Sequence, residues 1–459
     1  MNSLTSRQRK VVYAIAIVVL LVPIIWLGAP LSSDVEPGTK TAVTGGMLAE
    51  MRHEQELGES TLGNIDPSSA AMNLVLLGLR GPAASLLHQN AIKYQQRKNW
   101  GKLKSAVNSI ILLQPHYVEV WKFQGWNLAF NVSREWDQVA DRFYWVKEGM
   151  KFLKKGTERN QTATILFHIV GDFIGRKFGN SDEKKYFRRY FRSDPDPRFD
   201  GKSDPEINPE GKDNYLVAFD WFIRANARDD IYPVKGMTYV LFRKSPAQAL
   251  FDHAGAITNE GQFDQTSKAW ADAHRHWTEV FGNEIFKGLN DVTYQLNCTE
   301  NEMRALAEEN GVTLAVQRRI WDQNVKMVNY RFWDNLSWCE RDPETVATRK
   351  AIYNGKQAYA NGEISDSVDE NGQPQISRAQ TLFEQGIAGM AKLFETYPDM
   401  FGHDENRLQA LLAVMYWKEI HKHNAKTPAA DHPLAELVAD PRILMYQSEA
   451  DSMFQRETN

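Results

Sequence analysis

Between residues 84 and 128 the apolar positions recur at helical spacing. Leu87, Ala91 and Tyr94 make one stripe, and Leu103, Val107 and Ile110 make a second. Pro115 closes the pair, because proline ends a helix at or just before its own position. Trp121 and Gly125 then fall 34 residues after Leu87 and Ala91, so the pattern starts again with a fixed period. Such a period marks helix pairs that are each too thin to bury their apolar face alone and therefore stack. After Leu128 and Val132 an insertion shifts the register ahead of a helix carrying Trp145, Val146, Gly149, Phe152 and Leu153. A third pair is expected over 162–178 and 182–191.

The same reading extends along the chain. Asp66-Pro67 supplies an N-cap followed by proline at the first helical position, and Leu74 and Leu77 continue the stripe up to a Gly78–Pro82 turn. Pro195, Pro197, Pro205 and Pro209, with Asp, Glu and Gly between them, interrupt helical spacing and mark the best internal boundary. Beyond it, 215–228 is helical, and 245–287 reads as two helices, one with Phe251 and one with Trp270, His274 and Trp277. A long helix is expected over 314–338, with Ile320, Trp321, Val325, Val328 and Phe332 on one side. Asp342-Pro343 starts another through Ala351, Gly355 and Ala358, ending near Asn361-Gly362. Its partner carries Ala379, Phe383, Ile387 and Met390, and a last helix covers 406–421. No run of alternating residues predicts a sheet, so the body is expected to be all-α.

With these residues in hand, the chain resembles a tetratricopeptide-type helical-repeat protein. Leu113-Gln114-Pro115-His116, followed by Val120-Trp121-Lys122-Phe123-Gln124-Gly125-Trp126-Asn127-Leu128-Ala129, is similar to a family of membrane-anchored bacterial repeat proteins without an established activity. The Gly78–Pro82 turn and the Trp145-Val146 helix share that likeness. It covers about residues 70–195, and 340–422 fits only a generic repeat. The resemblance implies a tetratricopeptide-like α-solenoid with irregular helical insertions. The expected organisation is a cytoplasmic stub and membrane helix (1–33), a tether (34–65), repeats (66–193) and a Pro/Asp-rich linker (194–213). An irregular helical region (214–340), a second repeat-like pair with a following helix (341–424) and a tail (425–459) complete it.

The N-terminus changes where this body is expected to reside. Arg7, Arg9 and Lys10 precede an uncharged stretch to Ser33, and the part from Val11 to Leu27 is almost wholly apolar. About 20 apolar residues span a bilayer core as a helix, and flanking basic residues stay in the cytoplasm. Leu27-Gly28-Ala29 is a poor cleavage site because Leu27 is bulky. The expectation is an uncleaved single-pass anchor in a bacterial inner membrane, with the bilayer as partner through Val11 to Leu27; the rival is a cleaved signal peptide, and both readings place the body in the periplasm.

Composition narrows the function classes. Of 459 residues, 42% are hydrophobic and 24% charged, which fits a globular body. A formal net charge of −4 argues against a nucleic-acid binder, which needs a basic face to displace phosphate counterions. The local basic cluster Lys184, Lys185, Arg188, Arg189 and Arg192 reads as a solvated helix face beside the acidic stretch that follows. Thr299 reads as an N-cap with Glu302 as its capping-box partner, so Cys298 sits just before a helix, while Cys339 sits near the end of a later one. Two free thiols are therefore expected, with a disulfide between them as the alternative.

No catalytic signature stands out. His274-Arg275-His276 is an i, i+2 pair, which on a helix points to different faces, and His421-Lys422-His423 complements a helix C-terminus. The stretch with Asp194, Asp196, Asp200 and Asp204 lacks the glycine and glutamate of a calcium loop, and 366–372 fails because Val368 takes a position that needs an oxygen ligand. Hydrolase, zinc-protease, Walker and dinucleotide fingerprints are absent. No catalytic residue, cofactor or metal ligand is therefore assigned. Tryptophan is abundant, at 13 residues, and Trp121, Trp126, Trp145, Trp270, Trp321 and Trp333 are expected to fill helix seams. The expected function is non-enzymatic binding of an unidentified protein or peptide, with Gln89, Lys93, Lys122 and Asn127 as groove residues. The alternative is an envelope enzyme, or enzyme subunit, with a site in residues 213–340.

Overall fold

The computed structural model describes Val19, residues 80–234 and residues 237–458. The expected membrane stretch (Val19 apart), the tether and the helix start at Asp66-Pro67 lie outside the described residues. Among these the fold is mostly helical. Strands are confined to two short antiparallel hairpins, β1 (Phe286–Lys287) with β2 (Thr293–Tyr294) and β3 (Ser367–Val368) with β4 (Pro374–Gln375). No described helix is long and apolar enough to cross a membrane. The chain forms two compact units, Met1–Gly211 with Arg224–Val234, and Lys212–Ile223 with Lys235–Asn459.

In the first unit, α1 (Arg80–Gln96) buries Ala84 and Ala91, with Leu87 and Tyr94 partly covered beside them. Of the turn expected at Gly78–Pro82, the described residues are helical instead, and Gly78 and Leu79 lie outside the described residues. Arg80, Gly81 and Pro82 form the first turn of α1, where the missing proline N–H costs nothing. A three-residue turn brings the chain back into α2 (Trp100–Leu113), capped by the Asn99 side chain accepting from the Lys102 N–H at 3.2 Å. Leu103, Val107 and Ile110 are buried against α1, as their spacing predicts. α3 (Val118–Trp126) widens into a π-turn over Asn127–Val132, and α4 (Val139–Arg159) follows.

Small residues let α3 and α4 approach closely. A Cβ on Gly125 would fall 2.5 Å from Leu153 Cγ, and one on Gly149 would fall 2.6 Å from the Gly125 carbonyl oxygen. Trp121 lies against Gly156 in this seam, 1% exposed, and donates from Nε1 to the Pro115 carbonyl at 2.8 Å. Asn160 Nδ2 donates to the same carbonyl at 3.2 Å, so the turn that closes the pair is tied to the end of α4. α5 (Thr164–Phe173) also ends in a π-turn, Ile174–Phe178, and α6 (Lys184–Arg192) follows.

The Pro/Asp-rich stretch after α6 is pinned down by charge. Lys147 on α4 is 2% exposed and lies 2.6 Å from Asp194 Oδ2 and 3.3 Å from Asp204 Oδ2. Its ammonium also sits 4.5 Å over the Phe199 ring. One turn further on, Lys151 binds Asp204 at 2.9 Å and Glu206 at 2.7 Å. Asp200, Gly201 and Gly211 take left-handed backbone conformations that let the loop fold back on itself.

α7 (Asn214–Asp229) contributes its start to the second unit and, from Arg224, its end to the first. In the second unit α8 (Tyr239–Arg243), α9 (Ser245–Asn259) and α10 (Phe263–Arg275), with the π-turn His276–Phe281, enclose an aromatic core of Phe251, Trp270, Trp277 and Tyr330. α11 (Glu300–Glu309) starts at the Thr299/Glu302 capping box that the sequence foretells. The single helix expected over 314–338 is instead two, α12 (Leu314–Met327) and α13 (Tyr330–Glu340). Asn329 adopts φ 54°, a left-handed conformation that asparagine tolerates better than most residues, and this breaks the helix.

α14 (Pro343–Ala360), α15 (Arg378–Thr396) and α16 (Asp404–His423) pack in succession around Phe383, Ile387, Met390 and Tyr416. Arg349, buried on α14, binds Glu340 at 2.5 Å, Asn406 at 2.7 Å and Gln409 at 2.7 Å, joining the end of α13 to α16. The residues expected as a tail form α17 (Ala435–Val438), α18 (Pro441–Leu444) and α19 (Gln447–Thr458). Ile443 and Ala450 are fully buried against Leu411 and Leu412 of α16.

Candidate binding surface

The four sequence-assigned groove residues do not share one environment. Gln89 and Lys93 are exposed and one turn apart on α1. Lys122 on α3 is half-buried and paired with Glu119 at 2.9 Å. Asn127 is 1% exposed: its Oδ1 accepts from Asn131 Nδ2 at 2.9 Å and its Nδ2 has no hydrogen-bond partner among the described residues. Asn127 therefore has no outer face to offer. The π-turn that begins at this residue adds a residue to the helical turn, which rotates the expected outward face inward. No hydrogen bond or ion pair joins these four among the described residues.

What the turn exposes instead is aromatic. Trp126, expected in a seam, is 47% exposed and stacks on Phe130 with ring centroids 3.8 Å apart. The Lys177 ammonium lies 4.4 Å over the Phe130 ring, and since Trp126 occupies one face, Lys177 takes the other. Lys177 comes from the second π-turn, and Phe173 beside it meets Phe130 edge-on at 6.3 Å. Burial lowers the Lys177 pKa, Arg134 pushes the same way, and Glu183 opposes both. Close to this pair in sequence, Trp136 packs 6.2 Å from Trp145, and Tyr144 meets Trp145 edge-on. Trp136 and Tyr144 are each about two-fifths exposed.

Exposed rings of this kind offer stacking surface at low ordering cost, while Lys177, 8% exposed, packs on the Phe130 ring from within. The i, i+4 spacing of Trp126 and Phe130 was the available signal in the sequence, but it is indistinguishable from a core stripe without the π-turn. Trp121 and Trp270 do fill seams, at 1% and 6% exposure.

Around Asp252–Trp277, within residues 213–340, aromatic side chains pack on one another. Phe251 stacks on Trp333 at 4.7 Å, and Trp277 stacks on Tyr330 at 5.2 Å. The histidines there have separate partners. His253 Nδ1 lies 3.2 Å from Asp213, and His276 packs edge-on against Phe219. His274 Nδ1 lies 3.1 Å from Ser337 Oγ and 3.5 Å from Asp334 Oδ1. Both contacts use one ring nitrogen, whereas a nucleophile relay needs serine and carboxylate on opposite nitrogens. Ser337 is fully buried and donates to the Trp333 carbonyl at 2.7 Å, so this trio is structural. Burial lowers the His274 pKa and raises that of Asp334.

The acids after α6 face ammonium groups, which fill the place that a bound cation would take. Cys298 and Cys339 are free, and burial pushes the Cys339 thiol up to about 12, so it stays protonated. A hollow of about 680 Å³ runs along α12, lined by that helix alone from Leu314 to Lys326, which makes it a helix face rather than an enclosed pocket. The chain matches no protein-family model and no curated protein.

Proposed function

We propose that this chain is a non-enzymatic scaffold, a tetratricopeptide-like α-solenoid that binds a protein or peptide partner. We place it on the outer side of a bacterial inner membrane, held there by the apolar stretch from Val11 to Leu27. The observation that carries the binding role is the Trp126–Phe130 pair, a stacked aromatic surface left open to solvent at the end of a tightly packed helix. Successive helix pairs hold such a surface in place beforehand, which lowers the ordering cost of association. Exposed Arg134, close enough to act on Lys177 behind the Phe130 ring, favours a partner that brings a carboxylate to the rings, and Gln89 and Lys93 are exposed on α1 as a separate polar patch.

The test is a photocrosslinking amino acid placed at Trp126, with Lys326 on α12 as the control position, in intact cells. A discrete adduct of higher mass from position 126 and none from 326 is expected. Once that partner is purified, Trp126→Ala weakens its binding by about 2 kcal/mol, the scale of an aromatic anchor. Absence of any protein adduct at 126 across growth conditions rejects the binding role.

A further inference from the structure

α6 reads Lys-Lys-Tyr-Phe-Arg-Arg-Tyr-Phe-Arg. Phe187 and Phe191 are each 1% exposed and root the helix in the first unit, while Lys184, Lys185, Tyr186 and Arg189 face solvent. Tyr190 is half-buried, its ring 6.3 Å from Tyr186 and 5.4 Å from Phe143, with the Arg189 guanidinium 5.4 Å over its face.

The sequence places acidic residues directly after this helix, whose basic cluster reads as a solvated face beside them. The structure gives those acids other partners. Asp194 and Asp204 go to Lys147, Asp204 and Glu206 to Lys151, and Asp196 to Arg198. Glu183, just ahead of the helix, is held by Arg142 at 2.8 Å. Lys184, Lys185 and Arg189 are left without an ion pair among the described residues, with exposed Asp182 as the nearby acid in sequence. Lys185 and Arg189, one turn apart, share a face, with exposed Lys184 at the helix start beside them; neighbouring cations repel each other, and an apposed surface of opposite charge relieves that repulsion.

The tyrosines say which kind of surface. A phenol ring with an apolar body and a polar tip is favoured at the headgroup boundary, and lysine and arginine stems lie along apolar material while their charged ends stay in the polar layer. Tyr144 on α4, adjacent to the Phe143 that packs on Tyr190, adds a second exposed phenol to that of Tyr186.

We propose that the Lys184–Arg189 face of α6 rests on an anionic phospholipid surface, with Tyr186 and Tyr190 at headgroup depth. This rests on the reading of Val11 to Leu27 as an anchor, which keeps the first unit beside a bilayer.

The full chain is reconstituted into phosphatidylcholine discs with and without phosphatidylglycerol. Lys184 and Lys185 are then acetylated with a water-soluble active ester and read by mass spectrometry. Phosphatidylglycerol slows acetylation of both on the order of fivefold or more, and high salt restores it, since each basic residue near such a surface strengthens association about fivefold. The double variant Tyr186→Ser, Arg189→Glu abolishes the protection while leaving the buried Phe187 and Phe191 in place.

Equal rates in the two discs overturn the proposal, as does protection that persists in the double variant. Protection that needs added cell protein, and not anionic lipid, assigns the face to an acidic polypeptide and also overturns it. A chain that fails to enter phosphatidylcholine discs counts against the anchor alone. The same footprint on phosphatidylglycerol vesicles, where protection must still occur, then decides the face.

Discussion

Lys147 is the residue on which the first unit's least regular segment depends. A lysine with 2% exposure is tolerated because two carboxylates and an aromatic face surround its ammonium. Removing it strands Asp194 and half of Asp204 in a site that has already excluded water. Lys147→Met should therefore destabilise the chain by about 3–5 kcal/mol, read as a lower urea midpoint. Adding Asp194→Asn and Asp204→Asn should restore part of that loss, because no buried charge is then unpaired. His168 sets a second residue-level dependence, this time on pH. Burial, helped by Arg176, holds its pKa at about 4 in the folded chain, against about 6.5 for a free histidine. The unfolded chain therefore takes up a proton that the folded chain refuses. The histidine's contribution is complete above about pH 6.5 and falls away by roughly 3 kcal/mol as the pH drops to about 4. His168→Leu should flatten that part of a melting-temperature profile, and an unchanged slope would count against burial as its cause.

Among the helices, close approach decides what each glycine does. A Cβ at Gly149 meets the Gly125 carbonyl at 2.6 Å, whereas one at Gly255 on α9 meets nothing within 4 Å. The same substitution should then act with opposite sign. Gly149→Ala should cost about 1–3 kcal/mol by forcing α3 from α4, and Gly255→Ala should add up to about 1 kcal/mol through helix propensity. Thermal melts of the two variants moving in the same direction would reject this account of the seam. Local chemistry made much at this scale legible in advance. The Leu103, Val107, Ile110 stripe, the Thr299/Glu302 box and the Asp342-Pro343 start need only neighbouring residues to act. The misses share a different cause. The π-turn over 127–132 brings Phe130 against Phe173 of α5, and Lys147 finds its partners 47 and 57 positions away, contacts that no neighbouring residue announces. Asn329 breaks a helix by adopting one permitted conformation out of several. Composition around these sites is that of an ordinary helix, so spacing alone placed Asn127 and Trp126 on the wrong sides.

For the molecule as a whole, the reading that sets every other one in place concerns the stretch from Val11 to Leu27. Seventeen apolar residues rise about 25 Å as a helix, and the uncharged run to Ser33 exceeds the roughly 30 Å of a hydrocarbon core. A charged arginine at mid-span costs about 2.5–3.5 kcal/mol by insertion measurements. Leu20→Arg with Leu21→Arg should thus oppose insertion by roughly 5–7 kcal/mol, enough to turn a stable anchor into a failing one. The full chain should remain in the membrane pellet after alkaline carbonate extraction, and the double variant should appear in the supernatant or stay in the cytoplasm. A cleaved leader gives a different pattern: unsubstituted protein in the carbonate supernatant, with a new N-terminus beyond residue 27. The proposed topology has Arg7, Arg9 and Lys10 set the orientation, so their replacement by glutamate should reduce the fraction of body that an external protease can reach. Partner capture at Trp126 and lipid contact at α6 both need that body outside, so loss of protease access should silence the Trp126 adduct even in a chain whose helices fold unchanged.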